Sequence, residues 1–337
     1  MMHDVSVVFD NSWIGLHGIG RFAREVLARL NDAVAVDLMG RPLSASNILK
    51  LPFKLLEYKD KRSVFFTPGF NPPIYSPIPF IFTIHDLTFI RVSGASTLDK
   101  KLYYNLVIKP AARRAFKILT DSNFSKADIL RWVGIPEEKV VVVGCGVSDH
   151  FSDTGVRCDK DFSYLFCLGN YRMHKNLVRT IQAFASAKLD AVYKLVIAGT
   201  PNQELSLLAN KLNIQDRVEF SGIIPEDLLP SYYRGAVAFL FPSLYEGFGL
   251  PILEAMACGT PVLTSNVTAM PEVAGDAALL VDPYDVGAIA SGIERLVHDQ
   301  ELRRVLVSRG LERATMFTWD KTASAVNAVL QEALNTL

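Results

Sequence analysis

VAFLFPSLYEGFGLPILEAMACGTPVLTSN, Val237 to Asn266, is the stretch on which the fold turns. An apolar run, VAFLF, breaks at Pro242, and a loop carrying Glu246, Gly247 and Gly249 follows. Pro251 then suits the first position of a helix, whose apolar body ends near Gly259, and TPVLTSN reads as a second strand. Two strands joined through a helix run parallel, because the helix carries the chain back to the end of the sheet where the first strand began.

The same alternation extends in both directions. SYLFCLG leads into NLVRTIQAFASA, YKLVIAG into ELSLLANKLN, and RVEFSG into EDLLPSYYRG. Nearer the start, VSVVFD (Val5 to Asp10), FIFTIH (Phe80 to His85), KILTDS and KVVVVG (Lys139 to Gly144) alternate with helical patterns. The polar, turn-rich segment from Gly146 to Ser163 separates the two series and reads as a linker. The expectation is an α/β protein of two doubly wound domains, residues 1–158 and 159–317, facing across a closable cleft. Ligands would bind beyond the carboxyl ends of the strands. The last segment, behind Thr318 as N-cap, reads as an amphipathic helix over 318–337.

Composition supports two packed cores. The 337 residues are 50% hydrophobic and 21% charged, which excludes a disordered or collagen-like chain. Thirty-five basic side chains balance 35 acidic ones, so no nucleic-acid partner is indicated. Cys145, Cys158, Cys167 and Cys258 form no C-x-x-C pair, so neither a disulfide framework nor a zinc ribbon is expected, and a reducing cytoplasm is the default. The start carries Asp4 and no basic n-region, so it reads as a buried strand and not as a signal peptide. No apolar run approaches the ~20 residues of a spanning helix.

Gly18-Ile19-Gly20-Arg21-Phe22-Ala23 fits the G-x-G-x-x-G/A form of a dinucleotide-binding turn, with Asp37 about 20 residues on. In that motif the first glycine follows its strand directly, whereas NSWIGLH intervenes here. The better reading keeps the glycines as a close backbone approach to a phosphate or sugar. More specific is the loop at the centre of the deciding stretch. The amides of Phe248, Gly249 and Leu250 precede or open a helix, lack helical partners and have its dipole behind them, which suits a diphosphate. Glu254, on the first helical turn, suits the two hydroxyls of a ribose, and Glu246 suits the sugar beyond the phosphates.

Two glutamates spaced this way, in E-G-F-G-L-P-x-L-E-A-M-A-x-G-x-P-V, resemble the signature of the retaining glycosyltransferases of family four, which have the GT-B fold. The resemblance covers nearly the whole chain: G-I-G-R-F, T-I-H-D-L at Thr83 to Leu87, D-S-x-F-S at Asp121 to Ser125, H-K-N at His174 to Asn176, F-S-G-I-I at Phe220 to Ile224 and P-E-V-A-G-D-A-A at Pro271 to Ala278. It implies transfer of a sugar from a nucleotide diphosphate sugar with retained configuration, the donor being held mainly by residues 159–317. By the same resemblance Lys175 contacts the diphosphate, with Arg172 or His174 beside it, and Gly222 and Ile223 meet the nucleobase through their backbone. Gly199 lines the diphosphate pocket, and Gly18 presents its amide to the β-phosphate or sugar. His85 hydrogen-bonds the donor sugar or the acceptor, with Asp86 orienting its ring. The helix over 318–337 crosses back to join residues 1–158. His85, Lys175 and Glu246 are thus the expected catalytic residues.

With no D-x-D motif in the expected place, a metal-independent enzyme is expected, its only cofactor-like ligand the donor. Residues 1–160 carry 21 basic against 16 acidic side chains, the remainder 14 against 19. The surplus collects in KLPFKLLEYKDKR (Lys50 to Arg62) and in Lys100, Lys101, Arg113, Arg114 and Lys117, with Leu51, Phe53, Leu55 and Leu56 interleaved. Two readings stand, a peripheral contact with anionic lipid or a solvated helix face. The full expectation is a cytoplasmic, peripheral hexosyltransferase moving mannose from GDP-mannose to a glycan or polyprenyl-diphosphate-linked acceptor in bacterial polysaccharide or O-antigen assembly. The alternatives are a UDP-sugar-dependent glucosyl- or N-acetylglucosaminyltransferase, a nucleotide-sugar epimerase, and a non-catalytic nucleotide-sugar-binding partner.

Overall fold

The computed structural model describes residues 6–15, 18–30, 33–36, 45–94, 97–169 and 171–337; Asp4 and Asp37 lie outside them. The chain divides into two compact units, Met1–Gly146 with Thr318–Leu337, and Val147–Phe317.

In the first unit β1 (Ser6–Asp10), β2 (Ala33–Val36), β3 (Ser63–Thr67), β4 (Phe80–Thr83), β5 (Lys117–Thr120) and β6 (Val140–Val142) form one sheet of order β2-β1-β3-β4-β5-β6. Every pairing is parallel. All five residues of β3, SVFFT, are buried, the unbroken apolar run that a sheet covered on both faces requires. Leu51 and Leu55 from the helix Ala45–Leu55 share one core cluster with Phe65, Phe82, Tyr104 and Ile108. The last helix, Trp319–Asn335, belongs to this unit. The Thr318 hydroxyl accepts from the Lys321 amide at 3.3 Å, and Trp319, Val326 and Leu330 are buried. Gly146 lies against the backbone of Trp319 where a Cβ would overlap it, so only glycine fits.

In the second unit β7 (Ser163–Leu168), β8 (Tyr193–Ala198), β9 (Val218–Phe220), β10 (Ala238–Phe241), β11 (Val262–Ser265) and β12 (Ala278–Val281) give the order β12-β11-β10-β7-β8-β9, again all parallel. The first and fourth strands of the series, β7 and β10, are neighbours, and the connections leave them in opposite directions. Such a switch point opens a crevice at the carboxyl ends of the two strands.

Three strands escape the sequence reading, Ala33–Val36, Ser63–Thr67 and Ala278–Val281. The expected boundary at 158/159 also moves. The segment read as a linker is fastened to the second unit: the Val147 amide donates to Phe317, the Cys158 amide to Ser231, and the Arg234 guanidinium to the carbonyls of Ser152 and Val156, both at 2.9 Å. These bonds satisfy backbone groups of the polar segment within the second unit. None of the four cysteines is disulfide-bonded.

Candidate active site

The loops that leave β7 and β10 carry the two principal charges. Lys175 Nζ donates to Glu246 Oε1 at 2.8 Å, with the lysine side chain 18% and the glutamate 14% exposed. Backbone and side-chain tethers bring them together. The Leu244 amide donates to the His174 carbonyl at 2.7 Å, and Asn176 Nδ2 donates to the carbonyls of Pro242 at 2.9 Å and Pro283 at 2.7 Å. Lys175 is therefore held between two cross-links from its own loop to the loop of Glu246, and its ammonium also lies 4.9 Å from the Phe241 ring centroid. Of its two expected helpers, His174 is buried, while Arg172 is exposed and lines a pocket of about 590 Å³ with Tyr171, Met173, Asn202 and Leu244. Neither Lys175 nor Glu246 lines that pocket.

Beyond Glu246 the chain enters the helix Leu250–Ala257 through Gly249, whose φ of +114° L side chains rarely adopt. Phe248 is buried, its ring edge-on to Phe317 at 5.8 Å. The amides opening this helix have no intrahelical acceptors, and the dipole adds positive potential there. Glu254 lies one turn deeper than expected. It is 3% exposed, and Tyr233 donates its hydroxyl to Glu254 Oε2 at 2.9 Å. Gly199, with φ of +134°, donates its amide to the Gly222 carbonyl at 2.8 Å, an isolated bridge past the ends of β8 and β9. The Gly222 carbonyl is thereby engaged, and Ile223 beside it is 82% exposed.

In the first unit His85 follows β4, and both of its ring nitrogens face acceptors. Nδ1 lies 2.7 Å from Asp121 Oδ2 and Nε2 lies 2.9 Å from the Pro68 carbonyl. A ring that donates to both carries two protons. Burial opposes that charge, yet Asp121, through its charge and its hydrogen bond, together with Pro68 and Asp86, outweighs it and raises the His85 pKa above the usual histidine value. The expected role of Asp86 is corrected here: its carboxylate accepts from the Thr88 amide at 2.8 Å, and Asp121 orients the ring. The Cys145 thiol is pushed well above the ordinary range by burial and by the charge of Asp121. Gly18 opens the helix Gly18–Leu27 with nothing within 4 Å of where its Cβ would stand. Gly20 is the sterically obligatory one, since a Cβ there would overlap the backbone of Gly15. Phe22 of that helix meets the His85 ring edge-on at 5.0 Å.

The family model for glycosyl transferases group 1 matches residues 153–313, and that for Glycosyltransferase Family 4 matches residues 3–151. The O-antigen chain mannosyltransferase B of Escherichia coli is 32% identical over 290 residues, 81% of this chain and 75% of the relative. The chain belongs to the family 4 glycosyltransferases. Another relative of this glycosyltransferase is the O-antigen chain mannosyltransferase RfbU of Salmonella typhimurium, 30% identical over 64% of this chain and 60% of the relative. Among solved structures, a sucrose-phosphate synthase from Thermosynechococcus elongatus superposes with a TM-score of 0.78 at 21% identity, covering 99% of this chain and 100% of the other. WaaG, a glycosyltransferase of lipopolysaccharide biosynthesis, gives 0.71 at 16% identity over 96% and 99%. These likenesses carry the GT-B fold.

Sequence reasoning about this glycosyltransferase missed three residues that organise these clusters, one in the first unit and two in the second. Asn176 and Asp121 stand inside quoted motifs, but their partners lie far along the chain. Tyr233 carries no local signal beyond its place in a helix. Among the described residues no three His, Cys, Asp or Glu side chains gather as metal ligands, and no helix is long and apolar enough to cross a membrane.

Proposed function

We propose that this enzyme transfers mannose from GDP-mannose, with retention, to a glycan or polyprenyl-diphosphate-linked glycan in bacterial surface-polysaccharide synthesis. The observation that carries the donor site is the Lys175–Glu246 pair at the switch point, ahead of the helix N-terminus at Leu250. Lys175 and Arg172 meet the diphosphate with the amides of Phe248, Gly249 and Leu250, and Glu246 meets the sugar. Glu254 accepts the ribose hydroxyls, Gly199 lines the phosphate pocket, and Gly222 with Ile223 flanks the base. Gly18 and His85 serve the sugar or acceptor. The bond from the anomeric carbon to the phosphate oxygen breaks as the acceptor oxygen bonds the same face. The acceptor proton passes to the leaving phosphate, releasing the nucleoside diphosphate. Cations fixed beside that phosphate stabilise its growing charge, and the reading needs no metal. Mannose is favoured because both O-antigen relatives above are named mannosyltransferases.

Calorimetric titration with GDP, UDP and ADP, followed by transfer assays, tests this. GDP at 100 times its Kd is expected to stabilise the fold by about 2.7 kcal/mol. Turnover with GDP-mannose should change by less than about twofold on adding EDTA, since no Lewis acid is invoked. Selective binding of UDP turns the reading to the UDP-sugar alternative. Loss of turnover on chelation defeats the metal-free mechanism.

The same reading places the enzyme peripherally on the cytoplasmic face of the inner membrane, where its acceptor would be presented. Leu51 and Leu55, counted from sequence as part of the contact surface, are buried in the core, but Leu49, Phe53 and Leu56 are exposed beside Lys50. Leu98, Leu102 and Leu106 form a second exposed row at four-residue spacing, next to the exposed Lys101. Apolar side chains among lysines suit an anionic bilayer surface. The protein is expected to sediment with vesicles containing phosphatidylglycerol and not with phosphatidylcholine alone. The triple change Leu98→Ser, Leu102→Ser, Leu106→Ser should weaken binding roughly tenfold or more. Equal recovery with neutral and anionic vesicles, or none with either, defeats the membrane reading.

A further inference from the structure

We infer that Tyr233 is a positioning residue for donor binding, one that sets the orientation of the Glu254 carboxylate toward the ribose hydroxyls. The inference rests on the assignment of Glu254 to the ribose in the reading above. Tyr233 is fully buried in the helix Leu229–Gly235. Its ring is clamped edge-on by Phe239 at 5.1 Å, Phe166 at 5.4 Å and Phe151 at 6.1 Å. Its own carbonyl accepts from the Thr260 hydroxyl at 2.6 Å, so the backbone beneath the ring is also fixed.

A phenol held this way cannot follow its partner. The carboxylate must come to the hydroxyl, and it does so at 2.9 Å through Oε2. That contact fixes the rotation of the carboxylate about its last bond. Two adjacent hydroxyls can donate to one carboxylate group only when its plane is correctly turned, which makes the orientation, and not merely the charge, the quantity that Tyr233 controls. The hydrogen bond also offsets part of the cost of holding a carboxylate that is 3% exposed.

Tyr233→Phe keeps the clamped ring and removes only the hydroxyl. The Kd values of GDP, UDP and their 2′,3′-dideoxy analogues would be measured on the full chain for wild type and variant. The wild type is expected to prefer the ribose form by roughly tenfold or more, as suits hydrogen bonds to a charged group. The variant is expected to lose most of that preference, with binding of the dideoxy form unchanged. Because each ratio is taken within one protein, a general loss of folded material moves both nucleotides alike and leaves the ratio intact. A variant whose ratio equals that of the wild type overturns the inference, whatever its absolute affinity. A wild type that binds both forms equally overturns instead the assignment of Glu254 on which the inference rests.

Discussion

Lys175→Ala is expected to lower kcat by about 100- to 1000-fold, the cost of removing a fixed group that stabilises transition-state charge. The ion pair at 2.8 Å adds a more discriminating expectation. Glu246 is only 14% exposed, so without Lys175 its carboxylate stands uncompensated where the diphosphate must bind. Like charges at that range repel. The double variant Lys175→Ala, Glu246→Gln should therefore bind GDP several-fold more tightly than Lys175→Ala alone, by roughly the coupling energy typical of contacting charges. It should remain inactive, because the cation opposite the leaving phosphate is still missing. Titration calorimetry on the four proteins of the cycle measures this directly. If the effects of the two changes on Kd simply multiply, the pair does not share a diphosphate site.

Asp121→Asn should reduce kcat about 10- to 100-fold, since it removes the carboxylate that orients and charges the His85 ring. Its effect on stability should depend on pH with a definite sign. The folded-state pKa of His85 is raised, so the stabilisation from this pair is fully present below the unfolded-state value, about 6.5, and fades as pH rises through the folded value. The gap in Tm between wild type and Asp121→Asn should be widest near pH 6 and shrink as pH rises. Thermal melts across that range decide the point. A gap that stays constant, or widens with pH, would mean that the ring is neutral in the fold. The Tm gap reports on the His85–Asp121 pair itself, independently of the Lys175 cycle.

The two site clusters differ in how far each could be read along the chain. Lys175 and Glu246 each sit in a loop after a strand, a position visible from the alternation of strand and helix patterns. Their separation of 71 residues closes only because β7 and β10 are neighbours, and sheet order is not written in any local pattern. The His85 ring illustrates the opposite failure. Asp86 is adjacent in sequence and was the natural partner, but successive side chains at a strand end point in different directions. Asp121, 36 residues away, follows β5, which lies directly beside β4 in the sheet.

By itself the sequence determined two parallel α/β domains, the glycine-gated helix at Leu250, the Thr318 cap and the family signature. Each of these is set by residues within a few positions of one another, through periodicity, capping or backbone conformation. The tertiary structure alone decided that the polar segment after Gly146 belongs to the second unit. It also decided that Leu51 and Leu55 are core, that Asp121 holds His85 and that Tyr233 holds Glu254. Those facts depend on which strands pair and which helices pack together, and that choice is made by burial over the whole chain, not by any stretch of it.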